Sequence, residues 1–163
     1  MSTAEDTIHQ EQTDIQRAER IATLAMTRGR TVAVAESLTA GQVSARLGAG
    51  RNASQWYRGA VVAYAKGVKF SVLGVSEGPV VSDLCAREMA EGVRTLLGAD
   101  VGVGITGVGG PGAEEGKPAG TVHLAIARAG HVRSVEMHVP GPPEDVIAAV
   151  GTRVLDEIVR ELT

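Results

Sequence analysis

Between residues 12 and 28, apolar side chains recur at helical spacing, with Ile15, Ala18, Ala22 and Ala25 on one stripe and Gly29 as a stop. The next apolar run, TVAVAE at 31–36, is too short for a helix and reads as a buried strand. Thr39 and Gln42 have the spacing of a capping box, which predicts a helix over 40–47 ending at Gly48. WYRGAVVAYA at 56–65 is rich in strand formers, and a short helix follows it through Lys69 to Leu73, closed by Gly74. Ser82 caps a longer helix carrying Cys85, Met89, Val93 and Leu97 at four-residue spacing, ended by Gly98. DVGVGIT is a strand, and GVGGPGAEEGKPAG after it is a long glycine- and proline-rich loop. TVHLAIARA and HVRSVEMHV form a strand pair around Gly130. Pro142 and Pro143 open a last helix with Val146, Val150, Val154 and Ile158 on one face.

Alternation of strands and helices predicts an α/β fold, a three-layer αβα arrangement of a single mixed β-sheet with helices on both faces. The final hairpin is what makes the sheet mixed. Residues 1–11 are polar and acidic and read as a flexible N-terminal tail, leaving 12–163 as a single domain.

Composition narrows the function classes. The net charge is −3 with both signs interspersed, and aromatic residues are 2%, so neither a basic stripe nor a base-stacking platform for nucleic acid is expected. No apolar run approaches the roughly 20 residues of a membrane span. The N-terminus lacks the basic and apolar regions of a signal peptide. A single cysteine, Cys85, excludes an intramolecular disulfide, and together these features point to a cytoplasmic protein that binds neither nucleic acid nor membrane. No Cys/His cluster suggests a metal site, and no cofactor motif is present.

Candidate chemistry gathers at the carboxyl ends of predicted strands, where open α/β sheets bind ligands. Glu36-Ser37-x-Thr39 leaves the first strand, Tyr64 the second, and Thr106-Gly107 the third. Ser37 has the strand-to-helix setting of a nucleophile, yet this stretch alone favours Ser37 and Thr39 as helix caps. A serine nucleophile needs a base. His9 lies in the tail, and His123, His131 and His138 lie on predicted strands as half-exposed structural residues. Lysine is the other option if its pKa is lowered. Lys66 and Lys69 are three apart on one helix face, which would lower both, although the residues alone favour two solvated surface lysines. The glycine loop GITGVGGPG at 104–112 suits close approach to a phosphate or ribose, or is simply mobile. Lys117 is its one cation.

Taken together, VAVAESLTAGQVSARL, YRGAVVAYAKGVKFSVLGV, AREMAEGVRTLLGADVGVGITGVGGPG and KPAGTVHLAIA resemble the CinA C-terminal domain family, over about residues 13–162. The resemblance implies hydrolysis of the carboxamide of nicotinamide mononucleotide to nicotinic acid mononucleotide and ammonia. It places the nucleophile on Ser37, with Tyr64 and Lys69 assisting. It implies substrate contacts among Glu36, Thr39, Gly41, Thr106, Gly107, Gly109, Gly110 and Lys117, a small-molecule nucleotide substrate and a homo-oligomer. The family also often carries an N-terminal molybdopterin-binding-like domain, and this chain reads as a stand-alone form. Departures are specific. ESLTAG stands where the family has ESCTGG, and Pro143 and Ile147 stand where it has two arginines. Arg58, Lys117 and Arg153 are the cations that could replace those arginines at a phosphate.

Overall fold

The computed structural model describes residues 3–163, which form six helices and five strands. The helices are α1 (Ala4–Arg28), α2 (Gln42–Gly48), α3 (Ala53–Trp56), α4 (Lys66–Leu73), α5 (Asp83–Leu96) and α6 (Pro143–Leu162). The strands are β1 (Val32–Glu36), β2 (Tyr57–Val62), β3 (Val101–Gly107), β4 (Thr121–Arg128) and β5 (His131–His138). Along the chain the order is α1-β1-α2-α3-β2-α4-α5-β3-β4-β5-α6. The strands form one mixed sheet in the order β2-β1-β3-β4-β5. β1 pairs in parallel with β2 and β3, while β3/β4 and β4/β5 are antiparallel.

A size alternation along the central strands sets the layers. Val32, Val34, Val101, Val103, Ile105, Val122, Leu124 and Ile126 fill one face against α1, α2, α3 and α6. The intervening positions are small, with Ala33 and Ala35 against α4 and α5 and Ala125 and Ala127 against α5. Gly102 and Gly104 belong to the same small set. A Cβ on either would lie 2.1 Å from Ala90 O or 2.3 Å from Ala86 O, so α5 lies close on the sheet only because these residues are glycine.

The structure corrects several boundaries. α1 begins at Ala4, so residues 4–11 of the expected tail are helical, while residues 1–2 lie outside the described part. A capping box between Thr3 and Asp6, with Glu5 and Asp6 in the first turn, starts the helix where no apolar stripe marks it. The strand expected over 56–65 is Tyr57–Val62, because Trp56 closes α3 and donates its indole N–H to Arg51 O at 3.0 Å. His123 is 5% exposed, with neither ring nitrogen hydrogen-bonded, and so is buried where half-exposure was expected. No helix among the described residues is long and apolar enough to cross a membrane.

Candidate active site

Consecutive crossovers run on opposite faces of the sheet, from β1 through α2 and α3 to β2, and from β2 through α4 and α5 to β3 on the other side of β1. That topology opens a crevice beyond the carboxyl ends of β1 and β3. A cavity of about 510 Å³ occupies it. Its wall includes Ser37, Tyr64, Lys66, Lys69, Thr106, Gly107, Gly109 and Gly110.

Ser37 leaves β1 in a tight turn closed by the Ala40 N–H donating to Ser37 O at 3.0 Å. Ala63 N–H donates to Glu36 O at 2.7 Å, which brings the end of β2 alongside. Lys69, one turn into α4, then reaches back to three acceptors. Its Nζ lies 2.9 Å from Ser37 Oγ, 2.7 Å from Ala63 O and 3.2 Å from Tyr64 O. Both partners are buried, Ser37 at 7% and Lys69 at 2% exposure.

Burial is the principal cause that pushes the Lys69 pKa below the usual lysine value. Glu114, Glu115 and, once ionised, Cys85 oppose the shift, and Lys66 adds only the smallest part of it. The expected lysine–lysine proximity is therefore a minor contribution. Lys66 is half exposed, and its Nζ is paired with Glu115 at 3.1 Å. Burial also pushes the Cys85 thiol up to about 11, so near neutrality it is an uncharged neighbour of Lys69.

Tyr64 takes part through its carbonyl, while its side chain is 71% exposed on the rim. Because Nζ meets Oγ directly, a proton route from Ser37 to Lys69 has no need of the phenol. Three expected binding residues lie behind the wall instead of on it. Thr39 is fully buried and its Oγ1 has no partner, so the expected capping box is not formed. Gly41 is the N-cap of α2, with φ 96 and no side chain to cap with. Glu36 caps instead. Its fully buried carboxylate accepts the N–H groups of Gly41, Val43 and Ser44 at 3.2, 3.1 and 2.9 Å. Ala40 has φ 46, a conformation costing roughly 1–2 kcal/mol with a Cβ present.

Lys117 is exposed and does not line the cavity, nor do Arg58 and Arg153, the latter being paired with Glu157. Pro143 and Ile147 do line it, so the start of α6 presents apolar surface there. Sequence reasoning missed Glu115, whose carboxylate accepts from Val80 N at 2.9 Å and Val81 N at 2.6 Å. Its partners lie more than thirty residues away, beyond any local pattern.

A family model, the CinA C-terminal domain, matches residues 14–162. A CinA-like protein from Gloeobacter violaceus is 45% identical over 149 residues, covering 86% of this chain and 35% of that protein. A CinA-like protein from Frankia casuarinae is 40% identical over 144 residues, covering 85% of this chain and 33% of its own length. The chain thus spans about a third of the length of these relatives. A competence-damaged protein (CinA) superfamily protein from Klebsiella pneumoniae has a matching structure, with TM-score 0.87 and 32% identity over 91% of this chain and 97% of that one.

Proposed function

This chain belongs to the CinA C-terminal domain family, and we propose that it is an amidohydrolase releasing ammonia from the carboxamide of nicotinamide mononucleotide. The observation that carries the reading is the buried 2.9 Å contact between Lys69 Nζ and Ser37 Oγ, together with the two carbonyls on the same nitrogen. A neutral lysine has two N–H bonds and one lone pair. The carbonyls of Ala63 and Tyr64 take the two N–H bonds, which aims the lone pair at the Ser37 hydroxyl. Burial that disfavours the ammonium keeps that lone pair available.

Ser37 Oγ bonds to the carboxamide carbon as its proton passes to Lys69. The turn's N–H groups beside Leu38 and Thr39, or those of the loop beyond Gly107, face the developing oxyanion. The C–N bond breaks, and the proton on Lys69 leaves with ammonia. Water attacks the resulting ester, Lys69 takes its proton and returns it to Ser37 Oγ, and the acid is released. Thr106, Gly109 and Gly110 shape the substrate's side of the cavity. No step requires a cofactor. The substrate is a small molecule, and self-association in the cytoplasm belongs to the same proposal.

The purified chain is expected to release ammonia from the mononucleotide with kcat/KM rising with pH. The protonated Lys69 cannot accept the serine proton. With its pKa below the ordinary value, the rise falls below pH 10.5, the unshifted lysine reference. No ammonia, or a profile that falls across this range, contradicts the proposal.

A second reading concerns the substrate alone. Pro143 and Ile147 on the wall favour an amide without a phosphate. A lost charge-assisted hydrogen bond of about 1.5–3 kcal/mol corresponds to roughly ten- to a hundredfold in affinity. The same assay on the dephosphorylated nucleoside separates the two. A lower KM for the nucleoside supports the second reading, and a lower KM for the mononucleotide supports the first.

A further inference from the structure

One carboxylate ties together three segments around the cavity. Glu115 sits in the loop between β3 and β4, and its Oε1 accepts from Val80 N at 2.9 Å and from Val81 N at 2.6 Å. Its Oε2 accepts from Val80 N at 3.0 Å and from Lys66 Nζ at 3.1 Å. Lys66 lies one turn ahead of Lys69 on α4. Val80 and Val81 are buried in an irregular stretch before α5 and line the cavity with Lys69. The Val80 carbonyl is held as well, by Thr106 Oγ1 donating at 2.6 Å. Val80 therefore has both backbone polar groups fixed by distant residues. Glu115 adopts φ 50, which a non-glycine residue rarely does without compensating contacts.

We propose that Glu115 is a positioning residue for the Ser37–Lys69 pair. It draws the glycine loop onto the Val80–Val81 wall and holds α4 through Lys66, which encloses Lys69. This role rests on the amidohydrolase reading above. Glu115 also places a negative charge near Lys69 and works against the burial that favours the neutral amine. The charged or titratable groups around Lys69 are Cys85 from α5, Glu114 and Glu115 from the loop, and Lys66 from its own helix. Two effects of opposite sign thus meet in one side chain. The brace keeps water out and lowers the lysine pKa, while the charge raises it.

The two separate by substitution. Glu115→Gln keeps an oxygen for the wall N–H groups and removes the charge. Glu115→Ala removes both. The readout is the rate at which a fluorophosphonate phosphonylates Ser37, followed by intact mass from pH 6 to pH 10. In that reaction Ser37 Oγ bonds to phosphorus, fluoride leaves, and Lys69 takes the proton. Glu115→Gln is expected to shift the inflection to lower pH by about half a unit, with the plateau rate kept. Glu115→Ala is expected to lower the plateau about tenfold or more as the wall moves. An unmoved inflection in Glu115→Gln, or a plateau in Glu115→Ala equal to the wild type, overturns the proposal. Amide hydrogen exchange at Val80 and Val81 gives a readout independent of Ser37 chemistry. Protection in the wild type and its loss in Glu115→Ala are expected, and equal exchange overturns the brace. A wild type that is not labelled at any pH, with exchange behaving as expected, contradicts the amidohydrolase reading and leaves the brace standing.

Discussion

Replacing Ser37 with alanine is expected to lower amide turnover on the order of 10⁴-fold or more, with little change in stability. The substitution removes a single oxygen from a side chain that is 7% exposed. Lys69 keeps the carbonyls of Ala63 and Tyr64, so no buried ammonium or amine is stranded. The thermal midpoint should therefore move by only a few degrees, about 1 kcal/mol or less, while the reaction loses its nucleophile. The two measurements must be read together. Ammonia release that survives in Ser37→Ala would make the turn after β1 a mere helix entry. A collapse of the midpoint would leave the loss of turnover unassigned to chemistry. Lys69→Ala is the less clean variant, because it leaves two carbonyls, a hydroxyl and a void where the lysine stem was buried.

Glu36→Ala is expected to be the most destabilising single change near the site, by about 3–5 kcal/mol. Glu36 is fully buried at the end of β1, and three N–H groups at the start of α2 depend on its carboxylate. α2 has only seven residues, and its N-cap is a glycine with no side chain to offer. Alanine would leave those donors without partners and open a void beside Ser37. At about 2–4 °C per kcal/mol for a chain of this size, the midpoint should fall by about 10 °C or more. Glu36→Gln retains one acceptor oxygen and should lose less. Thermal unfolding of the three proteins checks the order, and a loss under about 1 kcal/mol for the alanine variant would contradict the capping role. Ser37 follows directly in the chain, so turnover should fall with the fold.

Glu36 also shows why part of the site was hidden in the sequence. ESLTAGQ offers two cap candidates, Ser37 after the strand and Thr39 with Gln42 at capping-box spacing. Local rules favour threonine. The turn 37–40 instead folds the strand end back over α2, which puts the Glu36 carboxylate at the helix start and buries Thr39 without a partner. The strands were legible because uninterrupted apolar runs such as VAVAE carry little ambiguity. Their alternation with helices made the three layers legible, but not which strand residues face which layer, since the difference between the faces is valine against alanine or glycine, not apolar against polar. The long first helix was half seen. Ala18, Ala22 and Ala25 of its expected stripe are buried, together with Ile21, whereas Ile15 is 61% exposed, and 4–11 are nearly all exposed and carry no periodic signal. The end of β2 was overdrawn because the carbonyls of Ala63 and Tyr64 leave the ladder to meet Lys69, a long-range demand invisible in a run of strand formers. Ser37 and Lys69, by contrast, are 32 residues apart and meet at 2.9 Å. Neither residue alone distinguishes a catalytic pair from a cap and a surface lysine.

Acid quench of the chain during turnover of the mononucleotide, followed by peptide mass analysis, tests the central claim most directly. An ester of nicotinic acid mononucleotide, joined through its carboxyl carbon, is predicted on the peptide carrying Ser37, formed as ammonia appears and absent in Ser37→Ala. Steady ammonia release at an undiminished rate in Ser37→Ala, with that peptide unmodified in the wild type at every time point, would contradict it.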